Sequence, residues 1–383
     1  MTIDAPLFAS TPRIAPISPA APAGDGQEEL HLSWVPPPGM VALSFKNFFY
    51  RIVTLGIYHF WGKTEVRKRI WSATRINGEP LQYTGTGKEM FQGFLLVLTV
   101  LTIPALLVTL AGFVAFGARG ADAMQGILTI AFFFLIGVGM HRAVRYRMSR
   151  TQWRGIRGGL EGSSWRYGWT YFWTGIVLVL TLGWASPWRA VKLQGLVTNG
   201  LRFGDRPFRF AASAGPLYGP FLVLWLSSVA ILGIIGAVFY LGFRDMGLLQ
   251  GVTPGQPANV SILIKVVLLV YGAFFVGFLM FAAVSAWYRA RMMNHFAAHT
   301  TFEGVSFSAT ATGPSLVWLS VTNMLIVIFT LGLLAPVAQA RAARYFVERL
   351  QMTGSAPLGE ILQGAAHEGR GEGLAQAFDI DAF

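Results

Sequence analysis

His295 and His299 stand four residues apart with Glu303 just behind them, the spacing in this chain that comes nearest to metal chemistry. On a helix the two imidazoles would share one face. A zinc site needs three or four convergent ligands, and the chain has no cysteine to complete one. Neither a metal nor another cofactor is expected. No Gly-rich loop precedes a lysine at phosphate-binding spacing, and no strand-to-helix nucleophile elbow appears. The long apolar runs contain no Asp or Glu that could relay protons. Lys265 begins one such run, where it can snorkel to an interface. These readings point away from an enzyme.

What remains is positive charge beside apolar segments. Arg67, Lys68, Arg69, Arg145, Arg147, Arg189, Lys192, Arg341 and Arg344 all lie near the ends of apolar runs, with Trp71, Tyr146 and Trp153 interleaved. A juxtamembrane Lys or Arg contributes about 1 kcal/mol against an anionic leaflet. The chemistry these residues suit is topology determination, with binding of an anionic headgroup or anionic solute as the sharper expectation. The bilayer, with anionic phospholipids, is the expected partner. Nucleic acid is not, because the charge belongs at a membrane surface. Nothing sets the oligomeric state.

Composition supports that setting. Of 383 residues, 54% are hydrophobic and 13% charged, and the formal charge is +12 from 30 Lys+Arg against 18 Asp+Glu. Soluble domains carry about 25% charged residues. A water-exposed globule with half that number would leave large apolar patches uncovered. A soluble enzyme and a disulfide scaffold are both excluded. Stretches free of Asp, Glu, Lys and Arg place helices at Phe91–Ala118, Gly126–His141, Gly168–Trp188, Tyr218–Phe243, Ile262–Tyr288 and Leu316–Ala340. Each approaches the roughly 20 residues that a crossing requires. Val41–Trp61 is a seventh, poorer segment, interrupted by Lys46 and Arg51.

Self-comparison reveals a repeat. Thr54-Leu55-Gly56, Thr181-Leu182-Gly183 and Thr330-Leu331-Gly332 all fall inside apolar segments. Seven residues before each Thr stands a small polar residue, Asn47, Thr174 or Asn323. Shortly after each Gly come Phe60-Trp61, Pro187-Trp188 or Pro336, and then a basic stretch. A central Gly followed by Pro is a natural helix break, tolerable at membrane depth where protein or a cavity covers it. Asn47, Thr174 and Asn323 are expected to hydrogen-bond the broken backbone near each Gly.

A second repeated element follows the basic stretches. Thr74–Tyr83, with its Asn77-Gly78 pair, and Thr300–Phe307 alternate apolar and polar residues around a turn, the pattern of a β-hairpin. Weaker copies run over 201–210, 153–165 and 350–358. The chain therefore reads as an all-α polytopic membrane protein with internal repeats and about seven hydrophobic segments, joined by short β-hairpins. A disordered Pro/Ala-rich tail is expected over 1–40, repeats over 41–167 and 168–314, a partial third repeat over 315–350, and an acidic tail over 351–383.

The loops 117–125 and 242–261 carry little charge, and cationic segments are retained in the cytoplasm. If the Thr-Leu-Gly segments dip into the membrane and return, every basic hairpin is cytoplasmic. If they cross, the repeats are inverted, a plan common among transporters. Dipping is favoured by basic residues on both flanks of Gly168–Trp188 and by Lys46 and Arg51, costly at the bilayer centre.

The string from Asn47 through Thr54-Leu55-Gly56-Ile57-Tyr58 to Trp61, followed by Arg67-Lys68-Arg69, Trp71, Thr74, Gly78 and Tyr83-Thr84-Gly85, resembles the YjgN-like inner-membrane proteins of bacteria. That family is described as a domain of unknown function. The resemblance covers roughly 40–350 and implies a multi-pass protein of the bacterial inner membrane. It implies no activity. Two functions are therefore expected in competition. One is transport or binding of an anionic solute or lipid through a basic cytoplasmic entrance. The other is a non-catalytic scaffold or envelope sensor with a cytoplasmic β-hairpin platform.

Overall fold

A computed structural model describes residues 27–246 and 260–363. The chain opens on β1 (Glu28–Glu29) and β2 (Leu32–Trp34), which lead into helices α1 (Met40–Val53) and α2 (His59–Ala73). Strands β3 (Thr74–Ile76), β4 (Glu79–Pro80) and β5 (Gln82–Tyr83) follow, and then α3 (Gly87–Val97), which runs through one π-helical turn into α4 (Ile103–Ser149). The pattern of two strands and two helices then recurs. Strands β6 (Thr151–Trp153) and β7 (Ile156–Leu160) precede α5 (Ser164–Leu180) and α6 (Ser186–Thr198). Strands β8 (Leu201–Phe203) and β9 (Arg206–Phe210) precede α7 (Gly215–Asp245) and α8 (Val260–Ala298). Strands β10 (Thr300–Phe302) and β11 (Val305–Ala309) precede α9 (Gly313–Phe329) and α10 (Ala335–Arg349). The described chain ends with β12 (Leu350–Thr353), β13 (Ser355–Ala356) and a 3₁₀ turn at Leu358–Glu360.

The strands do not form separate hairpins. β5 to β12 make one antiparallel sheet in chain order, β2, β3 and β4 make a second, and β1 pairs with β13. β1 runs on into β2, β4 into β5 and β12 into β13, so the thirteen pieces are ten ribbons closed into a ring. The closing contact pairs Glu28 with Ala356 and Glu29 with Ser355. Closure through β1 and β13 leaves only short sheet ends, at β2, β4, β5 and β12, among the described residues, and short edges recruit strands poorly.

Connections alternate around the ring. At one end the ribbons are joined by tight turns, Asn77-Gly78, Arg154-Gly155, Gly204-Asp205 and Glu303-Gly304. In three of them both turn residues have positive φ: 51° and 80°, 49° and 77°, 42° and 87°. That geometry matches the twist of the flanking strands. At the other end every connection is a pair of helices that leaves one ribbon and returns to its neighbour. Tyr83 pairs with Thr151 across α3/α4, Leu160 with Leu201 across α5/α6, and Ala309 with Leu350 across α9/α10. Thr300 pairs with Phe210 across α7/α8, and Trp34 with Thr74 across α1/α2. Five helical hairpins thus rise from one end of one ring.

The ring's centre is packed with apolar side chains. A single cluster includes Leu30, Ile76, Leu81, Trp153, Ile156, Phe203, Phe208, Phe302, Val305, Met352 and Ala356, so that every ribbon contributes. Leu358 and Ile361 close the turn end. There the backbone of Leu362 exchanges hydrogen bonds with Asp205, its N–H reaching Oδ1 at 3.1 Å. Arg154 bridges Glu28 (2.8 Å) and Glu79 (3.2 Å) at the same end. Burial alone would lower the pKa of that guanidinium, but the two carboxylates outweigh it and hold the pKa above its usual range.

Among the described residues, three helices are long and apolar enough to cross a membrane: Gly87–Ser149 (63 residues), Gly215–Asp245 (31) and Val260–Ala298 (39). The first is folded back on itself at Gly117 (φ 65°, ψ −154°). A Cβ at Gly112 would lie 2.8 Å from Met124 Cγ, whereas twelve residues of straight helix span about 18 Å.

Several expectations change. The fold is mostly helical but not all-α, because the hairpins fuse into one ring. The three segments expected as Val41–Trp61, Gly168–Trp188 and Leu316–Ala340 are each two shorter helices broken at Thr-Leu-Gly. The expected loop at 117–125 is helix apart from Gly117. Of the expected tails, Glu28–Trp34 and Gln351–Glu360 are structural, because these stretches supply the ring's closing strands and the cover of its core. Residues 1–26 and 364–383, and the loop reading at 247–259, lie outside the described residues.

Candidate functional site

The three Thr-Leu-Gly segments adopt one geometry. Leu55, Leu182 and Leu331 have φ of 50°, 49° and 50°, and Gly56, Gly183 and Gly332 follow at 92°, 88° and 81°. Each Gly N–H reaches back five residues to a helix-end carbonyl, Arg51 (2.7 Å), Leu178 (2.8 Å) or Val327 (2.7 Å). This is the bond that closes a helix C-terminus with a left-handed residue. Each Thr hydroxyl donates to the carbonyl four residues earlier, at 2.7, 2.8 and 2.6 Å. It also accepts from the N–H four residues later, that of Tyr58, Ala185 or Leu334. One hydroxyl so ties the end of the first helix to the start of the second.

The polar residues seven positions earlier brace the arms rather than the break. Asn47 Nδ2 donates to the Gly62 carbonyl at 3.3 Å, and Asn323 Nδ2 to the Ala338 carbonyl at 3.0 Å, each on the opposite helix. Thr174, fully buried, is too short to cross and donates to Thr170 of its own helix at 2.6 Å. Trp61 packs against Phe91, and Pro187 and Pro336 occupy the first turns of α6 and α10. A proline there gives up no helical hydrogen bond.

The tips are apolar and uncovered. Leu55, Leu182 and Leu331 are 94%, 79% and 87% exposed, and Val179, Leu180, Ile328 and Phe329 beside them are exposed as well. A left-handed Leu costs roughly 1–2 kcal/mol that glycine would not. In water a bare Leu at such a site would gain nothing to offset that cost; in lipid, burial of its side chain does. The Leu182 carbonyl accepts from the indole N–H of Trp225 at 3.0 Å, so the second tip is pinned to the flank of α7.

The basic residues singled out above divide into two groups. Arg69 donates to the Pro38 carbonyl (2.6 Å), Arg145 to the Leu160 and Gly162 carbonyls, and Arg341 to Thr322 Oγ1 (2.9 Å). Arg67 lies 3.3 Å from the Tyr83 hydroxyl, and Arg147 is buried. Arg67, Arg69 and Arg145 hold helix feet to the strands and their linkers, whereas Arg341 joins α10 to α9. Lys68, Lys192 and Arg344 are exposed, and Arg344 pairs with Glu348 at 2.6 Å. Arg189 and Lys192 lie over the rings of Tyr171 and Trp188 at 4.4 and 4.9 Å. The set expected to face an anion is therefore largely engaged with the protein itself.

His295 Nε2 is 2.8 Å from the Ser213 carbonyl and His299 Nδ1 is 2.8 Å from the His295 carbonyl, so both rings are engaged with backbone. Glu303 faces Arg206 at 3.6 Å. Sequence reasoning passed over Arg289 and Arg291, exposed on α8 where its charge-free run ends. Their signal was the Trp287–Arg291 spacing of one helical turn.

The family model described as "Bacterial protein of unknown function (DUF898)" matches residues 40–377. The chain belongs to that family. The family match takes in all ten helices and most of the ring, leaving out β1 and β2. The chain is also similar to the inner membrane protein YjgN of Salmonella typhimurium, at 21% identity over 346 residues, covering 80% of this chain and 84% of the relative. No solved structure matches. With apolar helices long enough to span a bilayer, this member of the family is a bacterial inner-membrane protein.

Proposed function

We propose that the protein is a non-catalytic lipid-engaging protein of the inner membrane. It inserts all five helical hairpins from the cytoplasmic side and binds anionic phospholipid around the feet of its helices. The two long hairpins, α3/α4 and α7/α8, cross the bilayer. The three Thr-Leu-Gly hairpins stop within the leaflet they entered.

The observation that carries this reading is the return of every helical hairpin to a neighbouring ribbon of one ring, which puts all five bases on one side. The short arms have 14 to 17 residues before the break, or about 21–26 Å of helix. The contact between Leu182 and Trp225 supports their depth. Trp225 is the eleventh residue of α7, about 15 Å along its axis, so the tip meets α7 near half the roughly 30 Å apolar thickness. In the first hairpin Lys46 is neutralised by Glu65 of the facing arm at 2.9 Å, while Arg51 is exposed one turn before the tip. That hairpin sits shallower than the other two.

The alternatives have less support. A basic entrance through the hairpin platform meets a ring filled by Trp153, Phe203, Phe208 and Phe302. A scaffold that recruits partners by strand addition would find only short edges, of two to four residues, at β2, β4, β5 and β12. The test is thermal unfolding of purified protein in detergent with phosphatidylglycerol or phosphatidylcholine of matched chains. A larger upward shift with phosphatidylglycerol supports the reading; equal shifts, or none, contradict it.

A further inference from the structure

The α4–α5 and α8–α9 interfaces are built from segments that align without a gap. Thr151 corresponds to Thr300, Ser164 to Gly313 and Thr181 to Thr330, a constant offset of 149 residues. They differ in what fills the space between the helices. In the first, Phe134 of α4 stacks on Trp165 at 5.8 Å and meets Trp169 and Phe172 of α5 at 6.4 and 6.3 Å. At the corresponding positions the second has Ala283, Pro314, Trp318 and Val321. Three of these four aromatics are replaced by small residues. The result is a surface cleft of about 520 Å³ lined by Trp287, Gly313, Pro314, Val317, Trp318 and Val321.

Nothing in the lining carries charge. The charge lies at the ring end. Arg291 stands one helical turn below Trp287 with its guanidinium 5.6 Å from the indole ring, and Arg289 is on the same stretch of α8. Both are exposed, and neither makes an ion pair among the described residues. Gly313 lets the start of α9 pack closely on Trp287 at the base of the cleft, for a Cβ there would come within 2.7 Å of Trp287 Cδ1. An apolar slot with an indole wall and an unpaired guanidinium at its cytoplasmic mouth matches one amphiphile: an acyl chain alongside the protein, with an anionic phosphate at the level of the arginines.

We infer that the cleft between α8 and α9 is a binding site for an anionic glycerophospholipid, with one acyl chain against Trp287, Val317 and Trp318 and the headgroup phosphate on Arg291. The inference rests on the lipid-engaging reading above and assigns it a location. The aligned α4–α5 interface, closed by its own aromatics, is the built-in comparison.

The probes are palmitoyl-oleoyl phosphatidylglycerol and phosphatidylcholine, with native mass spectrometry counting lipid retained after detergent washing. The wild type is expected to keep one phosphatidylglycerol under conditions that strip phosphatidylcholine. A double variant, Pro314→Trp with Val321→Phe, restores two of the three missing aromatics of the sister interface and should retain at least tenfold less. Arg291→Gln leaves the slot open and should bring phosphatidylglycerol retention down to that of phosphatidylcholine. Full retention by the double variant, or an unchanged lipid preference in Arg291→Gln, overturns the site. If the double variant does not fold, the Arg291→Gln arm decides alone. Thermal shifts separate this failure from that of the broader reading. Equal stabilisation of wild type and the cleft variants by phosphatidylglycerol removes the cleft only, whereas no stabilisation of the wild type removes the broader reading too.

Discussion

Asn323 donates its side-chain amide to the carbonyl of Ala338, 3.0 Å away on the opposite arm of the same helical hairpin. Asn47 repeats the contact with Gly62. In lipid no water competes for such a bond, so it joins two arms that apolar packing alone would hold loosely. Removing it by Asn323→Leu leaves the Ala338 carbonyl without that donor. A loss of about 1–3 kcal/mol follows, read as a fall of several degrees in the thermal midpoint of the detergent-solubilised protein. Asn323→Thr, which imports the residue found at Thr174, should fall as far, because a hydroxyl bonds back to its own helix.

The tips make a separate prediction. Leu182→Asp places a charge where the account puts hydrocarbon, and a carboxylate at depth costs about 2.5–3.5 kcal/mol on insertion scales. The variant should lose membrane-integrated protein, measured as the carbonate-resistant fraction. Leu182→Gly relieves the left-handed strain and should integrate normally. Equal integration by both variants would argue against a buried tip.

Thr330 couples two helices through one hydroxyl, donating to Ile326 and accepting from Leu334. Thr330→Val keeps the shape and removes both bonds. About 1–3 kcal/mol should be lost, visible as faster proteolysis at the tip in detergent, with the ring intact.

The ring makes its own prediction. Phe302 is buried in the cluster that unites the ten ribbons and stacks on Phe208 at 4.6 Å. Phe302→Ala should cost about 3–5 kcal/mol, and because the ring joins all five hairpin bases the whole molecule should unfold at a lower temperature in one transition. A second, unshifted transition would show the ring to be a separate unit.

Much of this was legible in residues whose signal is local. Charge-free runs located the apolar helices, Asn77-Gly78 announced a turn with two positive φ values, and the triple Thr-Leu-Gly marked three turns that share every backbone bond. Two of the weaker hairpin copies, at 201–210 and 350–358, were readable from alternation, because their inward positions are Phe203, Phe208 and Met352. The closure of the ring was hidden. It joins Glu28 to Ala356, strands of two residues set among prolines and glycines, and no periodicity survives in so short a piece. The break inside Gly87–Ser149 was legible as the weakly charged 117–125 stretch between two apolar runs, but not that it is confined to Gly117. The positions of the basic residues were legible, but not which of them bond the protein's own carbonyls. Whether an arginine faces lipid or a carbonyl of its own ring depends on which strand returns beside it, and that is a property of the closed topology.

The claim on which everything else depends is that the tight turns and all five hairpin bases lie on the cytoplasmic side. The chain has no cysteine, so a single Arg202→Cys on β8 is an unambiguous reporter. In intact spheroplasts a membrane-impermeant maleimide should leave it unlabelled, and lysis should make it fully reactive. Labelling of Arg202→Cys in intact spheroplasts would put the loop between α6 and α7 in the periplasm and contradict the account.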